Sequence, residues 1–365
     1  MVEIDPHGVG DGSGVTCATH SYASIDGPHV AEKRTTSLSA ILKSPQYGVH
    51  DDNLVKAICA LGEATAHIAV LLMNYVEHTY AGTQNNSGDD QLHLDIDCDN
   101  AVFNALRQSG VFVIAASEET PVETNVLRND DGNNSTDEDK MFSVGFDPLD
   151  GSSIIDANFS VGSIFGIWPG KGVLNRTGRE QVASAISVYG PRTTLCIALP
   201  AASTSTGKPI VLEVTLVQDR HGWELSREEI TIEATGKVFA PGNLRATNDN
   251  AQYNALVQHW ISNRYTLRYS GGMVPDVYHI FAKSKGVFSN VSSEKAQAKL
   301  RLLYEVAPIG LIVECAQGVT THETIDQSVL DIPIHDLDQR LGVCFGSAEE
   351  VAIYKKFMMS ADNKK

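Results

Sequence analysis

Two aspartates three residues apart, flanking a proline directly after an apolar strand, constrain this chain more than any other stretch. The run is Phe146-Asp147-Pro148-Leu149-Asp150-Gly151-Ser152-Ser153. Pro148 fixes its own φ and pushes the residue before it toward extended geometry. Both carboxylates can then point at one centre, and Gly151 lets the backbone turn with its amides bare. Carboxylates hold a hard cation and bare amides hold an anion, so the run suits a metal beside a phosphate. Taken alone, the same run is also compatible with an acidic surface turn.

The 365 residues, 42% of them hydrophobic, are enough for a large core in two subdomains or one large α/β unit. A net charge of −17 argues against a chain that tracks nucleic acid. An acidic protein acting on an anionic ester needs local positive charge from a metal and a few Arg or Lys. No run approaches the ~18 apolar residues of a membrane span, and no apolar signal core opens the sequence. The six cysteines, Cys17, Cys59, Cys98, Cys196, Cys315 and Cys344, lack metal-site spacing. Free thiols in a reducing, cytoplasmic setting are the expectation, with a plastid as the other if a transit segment precedes this sequence.

Residues 1–30 read as a flexible arm, 31–220 as a metal and phosphate subdomain, and 221–365 as a sugar-binding subdomain. Leu54, Ile58, Leu61, Thr65, Ile68 and Leu72 follow helical spacing over Leu54 to Tyr75. Ala81 to Asp90 reads as a polar loop, Ala101 to Ser109 as a helix, and Val111 to Ala116 as a buried strand. Arg128 to Lys140 reads as a solvated loop despite its many acids. Strands are expected over Phe142 to Phe146, Val161 to Trp168, Thr193 to Leu199, Ile210 to Val217 and Glu228 to Glu233. Gln181 to Tyr189, Gln252 to Ser262, Lys299 to Val306, Pro308 to Ala316 and Ala348 to Met358 read as helical. The mixture predicts an α/β or α+β fold with the acidic runs at strand ends. Gly162 and Gly166 predict close backbone packing, Trp168 and Trp223 core or lid packing, and His322 and His335 surface positions.

Glu118 and Glu119 follow one apolar strand, and Asp147 and Asp150 follow another. Asp95 lies just ahead of the helix that begins near Ala101. Acids at the ends of neighbouring strands converge easily, and their repulsion calls for divalent cations. The segments Ser117-Glu118-Glu119, Phe146 to Ser153, and Lys299-Leu300-Arg301-Leu302-Leu303-Tyr304-Glu305 resemble the fructose-1,6-bisphosphatase superfamily over roughly residues 35 to 358. Within it, Phe239 to Thr247, Arg264 to Pro275, and Val144 to Asp156 resemble the branch acting on sedoheptulose 1,7-bisphosphate.

The resemblance implies a layered α-β-α-β-α fold and Mg²⁺-dependent hydrolysis of the 1-phosphate of a sugar bisphosphate, in a homodimer or homotetramer. It implies metal ligation by Glu118, Asp147, the Leu149 carbonyl, Asp150 and Glu305, and activation of the attacking water by Asp95 and Glu119. Gly151, Ser152 and Ser153 would hold the scissile phosphate, and Lys299 the sugar ring or phosphate. Arg268 and Tyr269 would meet the distal phosphate, Gly271, Gly272 and Met273 would line the sugar site, and Arg301 would contact substrate. Gly242, Arg245 and Asn290 replace the Asn-x-x-Tyr and Tyr of the six-carbon pattern. A guanidinium forks to phosphate as a phenol cannot, and Asn290 leaves room for one more carbon. A six-carbon bisphosphatase and a non-catalytic sugar-phosphate sensor remain alternatives, and Arg245 paired to a surface acid is the competing reading of that residue. Met141 and Phe142, in place of a Lys-Tyr pair, argue against AMP control. An arm carrying Cys17 alone argues against control by an arm disulfide.

Overall fold

The computed structural model describes residues 37–76, 80–84, 90–127, 140–217 and 222–359. The expected arm and almost all of the polar loop over 128–140 lie outside the described residues. The chain enters through α1 (Leu38–Leu42) and the long α2 (Asp52–Met73). Asp51 starts α2 by accepting from the amides of Asn53 and Leu54 at 2.8 and 3.2 Å, which satisfies two donors that a helix start leaves open. After the antiparallel pair β1 (Tyr80–Gln84) and β2 (Asp90–Leu92) comes α3 (His93–Ser109).

Eight strands form the first sheet: β3 (Phe112–Ser117), β4 (Thr124–Asn125), β5 (Phe142–Asp150), β6 (Val161–Pro169), β7 (Ala183–Tyr189), β8 (Thr193–Leu199), β9 (Ile210–Val217) and β10 (Gly222–Arg227). Their order is β10-β9-β8-β7-β6-β5-β3-β4, antiparallel except where β3 meets β5. The second sheet holds β11 (Val238–Gly242), β12 (Thr266–Leu267), β13 (Val287–Asn290), β14 (Val319–His322) and β15 (Val343–Gly346), ordered β12-β11-β13-β15-β14. The remaining helices are α4 (Ala251–Ser262), α5 (Met273–Lys283), α6 (Ala307–Cys315) and α7 (Ala348–Met358).

Strand alternation sorts the side chains into layers. Phe165, Ile167, Leu195 and Ile197 pack with α2 and α3 on one face of the first sheet. Ile164, Ile186, Cys196 and Ala198 face the other way, onto α5 and α6, which also touch Phe288 and Phe345 of the second sheet. Phe239, Val287 and Cys344 on the far side of that sheet pack with α4 and α7. The result is the α-β-α-β-α layering, with two helix layers outside and one between the sheets. Trp168 and Trp223 are buried core residues, His335 is exposed, and His322 is half-buried on β14.

Several elements differ from the sequence expectation. Residues 183–189 form a central strand, not a helix, and all seven are buried. With both faces covered, apolar residues need not alternate, so this strand carries no period-2 signal. Glu228 to Glu233 is not a strand: Ile230 donates to Val211 O and Ile232 to Ala316 O, so its bonds go to different partners. The strand on that edge is β10, just before it. The expected polar loop over 81–90 is in part a hairpin: residues 81–84 belong to β1 and Asp90 to β2, and 85–89 lie outside the described residues. Residues 299–301 are extended, and a π turn over Leu302–Val306 leads into α6, with Pro308 in its first turn, where a missing N–H costs nothing. The helix α2 spans 22 residues and is long and apolar enough to cross a membrane by length and composition only; Lys56, Glu63 and His67 interrupt it, so no uninterrupted apolar run approaches that length. Here it packs as a core helix, with Leu54, Ile58, Leu61, Thr65 and Ile68 buried against α3, β7 and β8.

Gly162 on β6 lies directly under α5. A Cβ there would sit 2.3 Å from Val274 Cγ1 and 2.6 Å from the Ser187 carbonyl oxygen. Gly162→Ala should therefore lower stability by about 1–3 kcal/mol, read as an earlier midpoint in urea unfolding. An unchanged midpoint would show that α5 does not approach β6 this closely.

Candidate active site

The site begins with a defect in a strand. Side chains on a regular strand alternate, so Asp147 and Asp150 should point to opposite faces. In the β5–β6 register, Asp147 faces Ile164 and Asp150 faces Gly162, so three steps on β5 match two on β6. The extra residue is a bulge, and bulges re-aim side chains. Pro148 explains its place, because it cannot donate to the ladder. Its carbonyl accepts instead from Ser163 Oγ at 2.7 Å, and the Leu149 amide donates to Asp147 Oδ1 at 2.9 Å. The strand therefore runs through the Asp-Pro-Leu-Asp segment to Asp150 instead of ending at Phe146.

The bulge and the π turn bring Asp147, Asp150 and Glu305 together, with one oxygen of each within 4.8 Å of the others. All three are buried. Burial first, then Glu118, Asp150 and Glu305, raise Asp147 well above the usual carboxylate range. Burial pushes Asp150 up to about 7, against the lowering effect of the Val274 and Met273 amides. Burial and then Glu118 push Glu305 up to about 8, against the lowering effect of Arg301. Those amides, the first two of α5, donate to Asp150 at 2.6 and 3.1 Å, where a helix N-terminus favours negative charge. Hard oxygen donors this close, each short of compensating charge, fit a divalent cation of the Mg²⁺ type.

Glu118 stands beside this trio and pairs with the Arg301 guanidinium. Arg301 also binds Asp338 Oδ1 at 3.0 Å through Nε, and its amide donates to Glu305 Oε2 at 2.6 Å. The structure thus directs Arg301 at the acids and not into the substrate cleft, where the sequence reading had put it. Asp95 is buried within the first turn of α3, not ahead of a helix, because that helix starts at His93. Glu119 is half-buried. Neither belongs to the 4.8 Å trio.

Gly151 turns the chain with φ +91°, followed by a 3₁₀ turn over Ser152–Ala157. Ser152 is half-buried and Ser153 exposed. They open onto a cleft of about 200 Å³ bounded by Asp150 to Ser153, Tyr269, Gly271 to Met273, Gly242, Asn290 and Glu305. A larger cavity of about 600 Å³, near the end of α2, has no carboxylate in its wall, so the chemistry belongs to the smaller cleft. Gly242 and Asn290 face each other across β11 and β13. Tyr269 is half-exposed, and its phenol is raised first by burial and then by Asp276, while nearby Arg245 lowers it. Arg245 is exposed. Arg268 is exposed, with Nη1 on its neighbour Leu267 O at 2.8 Å. Lys299 is exposed, and Leu149 is buried.

Sequence reasoning missed Asp99, which accepts from Ser117 Oγ at 2.5 Å and Thr120 Oγ1 at 3.2 Å and so holds the turn carrying Glu118 and Glu119. Its spacing from Asp95, one helical turn on α3, was the available signal. Met141 and Phe142 are buried, and Cys98 is buried with its thiol pushed well up by burial and then by neighbouring acids.

The profile of the fructose-1-6-bisphosphatase N-terminal domain matches residues 51–206, and that of the C-terminal domain matches residues 232–359. The chain belongs to the fructose-1,6-bisphosphatase family. It is 45% identical over 308 residues to the chloroplastic sedoheptulose-1,7-bisphosphatase of Spinacia oleracea, covering 84% of this chain and 74% of that one. It is 35% identical over 308 residues to the class 1 fructose-1,6-bisphosphatase of Pelobacter propionicus, covering 84% and 88%. A solved structure of a candidate sedoheptulose-1,7-bisphosphatase from Toxoplasma gondii superposes with a TM-score of 0.76 at 36% identity, covering 88% of this chain and 98% of that one. The holo fructose-1,6-bisphosphatase of Leishmania major superposes with a TM-score of 0.76 at 27% identity, covering 89% and 99%.

The raised carboxyl groups fix a sign. Unfolded, these acids titrate near pH 4, whereas folded Asp150 and Glu305 hold protons to about 7 and 8. With divalent ions chelated, the folded state keeps protons that the unfolded state has released, so stability falls as pH rises from about 4 to 8. Melting temperatures in chelator should drop across that window, and Mg²⁺ should restore most of the loss at pH 8 and little at pH 5. A magnesium effect independent of pH would contradict the assignment.

Proposed function

We propose that this chain hydrolyses the 1-phosphate of sedoheptulose 1,7-bisphosphate, giving sedoheptulose 7-phosphate and phosphate, with Mg²⁺ as cofactor. The observation that carries the reading is the buried trio Asp147, Asp150 and Glu305 opening onto the Gly151–Ser153 loop. Glu118, Asp147, the Leu149 carbonyl, Asp150 and Glu305 are the residues assigned to the cation. Bound Mg²⁺ supplies positive charge for the phosphoryl and leaving oxygens and lowers the pKa of water. The chain's own groups do the rest. The Gly151, Ser152 and Ser153 amides and hydroxyls orient the phosphate. Asp95 and Glu119 take the proton from water as it attacks phosphorus in line. Arg301 holds Glu118 in place through their ion pair.

The distal phosphate is assigned to Arg245, Arg268 and Tyr269, the sugar to the Gly271 to Met273 backbone, and Lys299 to the ring oxygens or the phosphate. Gly242 and Asn290, small where the six-carbon pattern carries larger groups, favour the longer sugar. The relatives named chloroplastic and the five free cysteines among the described residues fit a reducing compartment, cytoplasm or plastid. A homodimer or homotetramer is the assembly assigned.

Asp150→Asn should cut turnover by at least about a hundredfold, while the fold survives with a lowered melting temperature, because the amide oxygen keeps one of the two α5 hydrogen bonds and the NH2 faces the other α5 amide. A phosphate-release assay near the wild-type rate would refute the metal role. Arg245→Tyr combined with Asn290→Tyr should shift the kcat/KM ratio toward fructose 1,6-bisphosphate by about tenfold or more. No shift in side-by-side kinetics would remove these residues from specificity.

A further inference from the structure

The loop carrying Arg268 and Tyr269 is tied at one end to the second sheet, through the Arg268 amide on Phe239 O at 3.0 Å. Its other end is held by Asp276, a buried carboxylate one turn inside α5. Asp276 Oδ1 accepts from the Ser270 amide at 2.6 Å and from Ser270 Oγ at 2.8 Å, and Oδ2 accepts from the Gly271 amide at 3.2 Å. Gly272, at the start of α5, offers no side chain to cap the helix. Asp150 takes that place on the first two helical amides, while Asp276, from the first turn of α5 itself, binds the two residues before the cap. Gly271 stands at φ +109°, a conformation open to glycine and strained for other residues. Both Asp276 oxygens accept from the loop.

We infer that Asp276 is a positioning residue for the distal end of the substrate, locking Ser270 and Gly271, which directly follow Arg268 and Tyr269, to the same helix start that holds Asp150. The inference rests on the phosphatase reading above and adds how the two ends of the cleft are kept at a fixed separation. Asp276 acts through the loop on whatever phosphate Arg268 and Tyr269 bind. Its removal therefore weakens recognition of the second phosphate more than chemistry at the first.

The test compares sedoheptulose 1,7-bisphosphate with a ketose 1-phosphate that lacks the distal group, in wild type, Asp276→Asn and Ser270→Ala. Asn keeps one acceptor but turns a donor toward the Gly271 amide, and Ser270→Ala removes the hydroxyl bond to Asp276 and a long one from the Gly272 amide while the Ser270 backbone amide still donates to Asp276. The expected result is a fall of about tenfold or more in the ratio of kcat/KM for the bisphosphate over the monophosphate in Asp276→Asn. Ser270→Ala should move the ratio the same way by less, and calorimetric Mg²⁺ affinity should stay within about twofold in both. A role in folding alone would lower both substrates in proportion, and an unchanged ratio in both variants overturns the inference while leaving the phosphatase intact. A wild type that hydrolyses neither ester overturns the reading beneath it.

Discussion

Three carboxylates packed in a protein interior cannot all be charged unless something positive joins them. That constraint organises the molecule around Asp147, Asp150 and Glu305. The chain could have avoided the repulsion by leaving β5 regular, since Asp147 and Asp150 would then have faced opposite sides. Pro148 enforces the irregularity instead. Around the cluster the structure supplies partial relief: the first amides of α5 for Asp150, the Arg301 amide for Glu305, and the Arg301 guanidinium for Glu118. None of these is a full counter-charge at the centre of the trio, which is why the acids still hold protons more tightly than exposed ones.

The helix α5 connects the parts. Its first turn meets the metal-site strand through Asp150 and the cleft loop through Asp276. One turn on, Tyr278 donates to the fully buried Glu213 Oε2 at 2.7 Å, pinning the helix to β9. Val274 rests on the bare backbone of Gly162. The two sheets therefore meet at the catalytic cleft through a helix anchored at its start and at its middle, which gives the site the rigid support that electrostatic catalysis requires.

Much of this was legible in the sequence, and the gaps have physical causes. The apolar stripe of α2 and the final helix over Ala348 to Met358 declared themselves by periodicity. The Asp-Pro-Leu-Asp-Gly-Ser-Ser run declared the acids. The strand over Ala183 to Tyr189 did not, because small and β-branched residues buried on both faces carry no period. The bulge was hidden as well, since a proline in an extended run signals only a missing donor. Arg301 was misread because its neighbours in sequence belong to the site, while its guanidinium turns toward Glu118 and Asp338. Asp99 and Asp276 work through backbone and hydroxyl donors, and a lone acid on a helix gives no sign of such partners.

The order of the polypeptide has a further consequence. The most apolar helix, α2, is completed at Met73, but β7 and β8, which cover it, are finished only at Leu199. At about 5–20 residues per second on the ribosome, that face stays bare for on the order of ten seconds. During that interval the nascent chain displays a greasy 22-residue segment that meets the length and composition of a bilayer crosser.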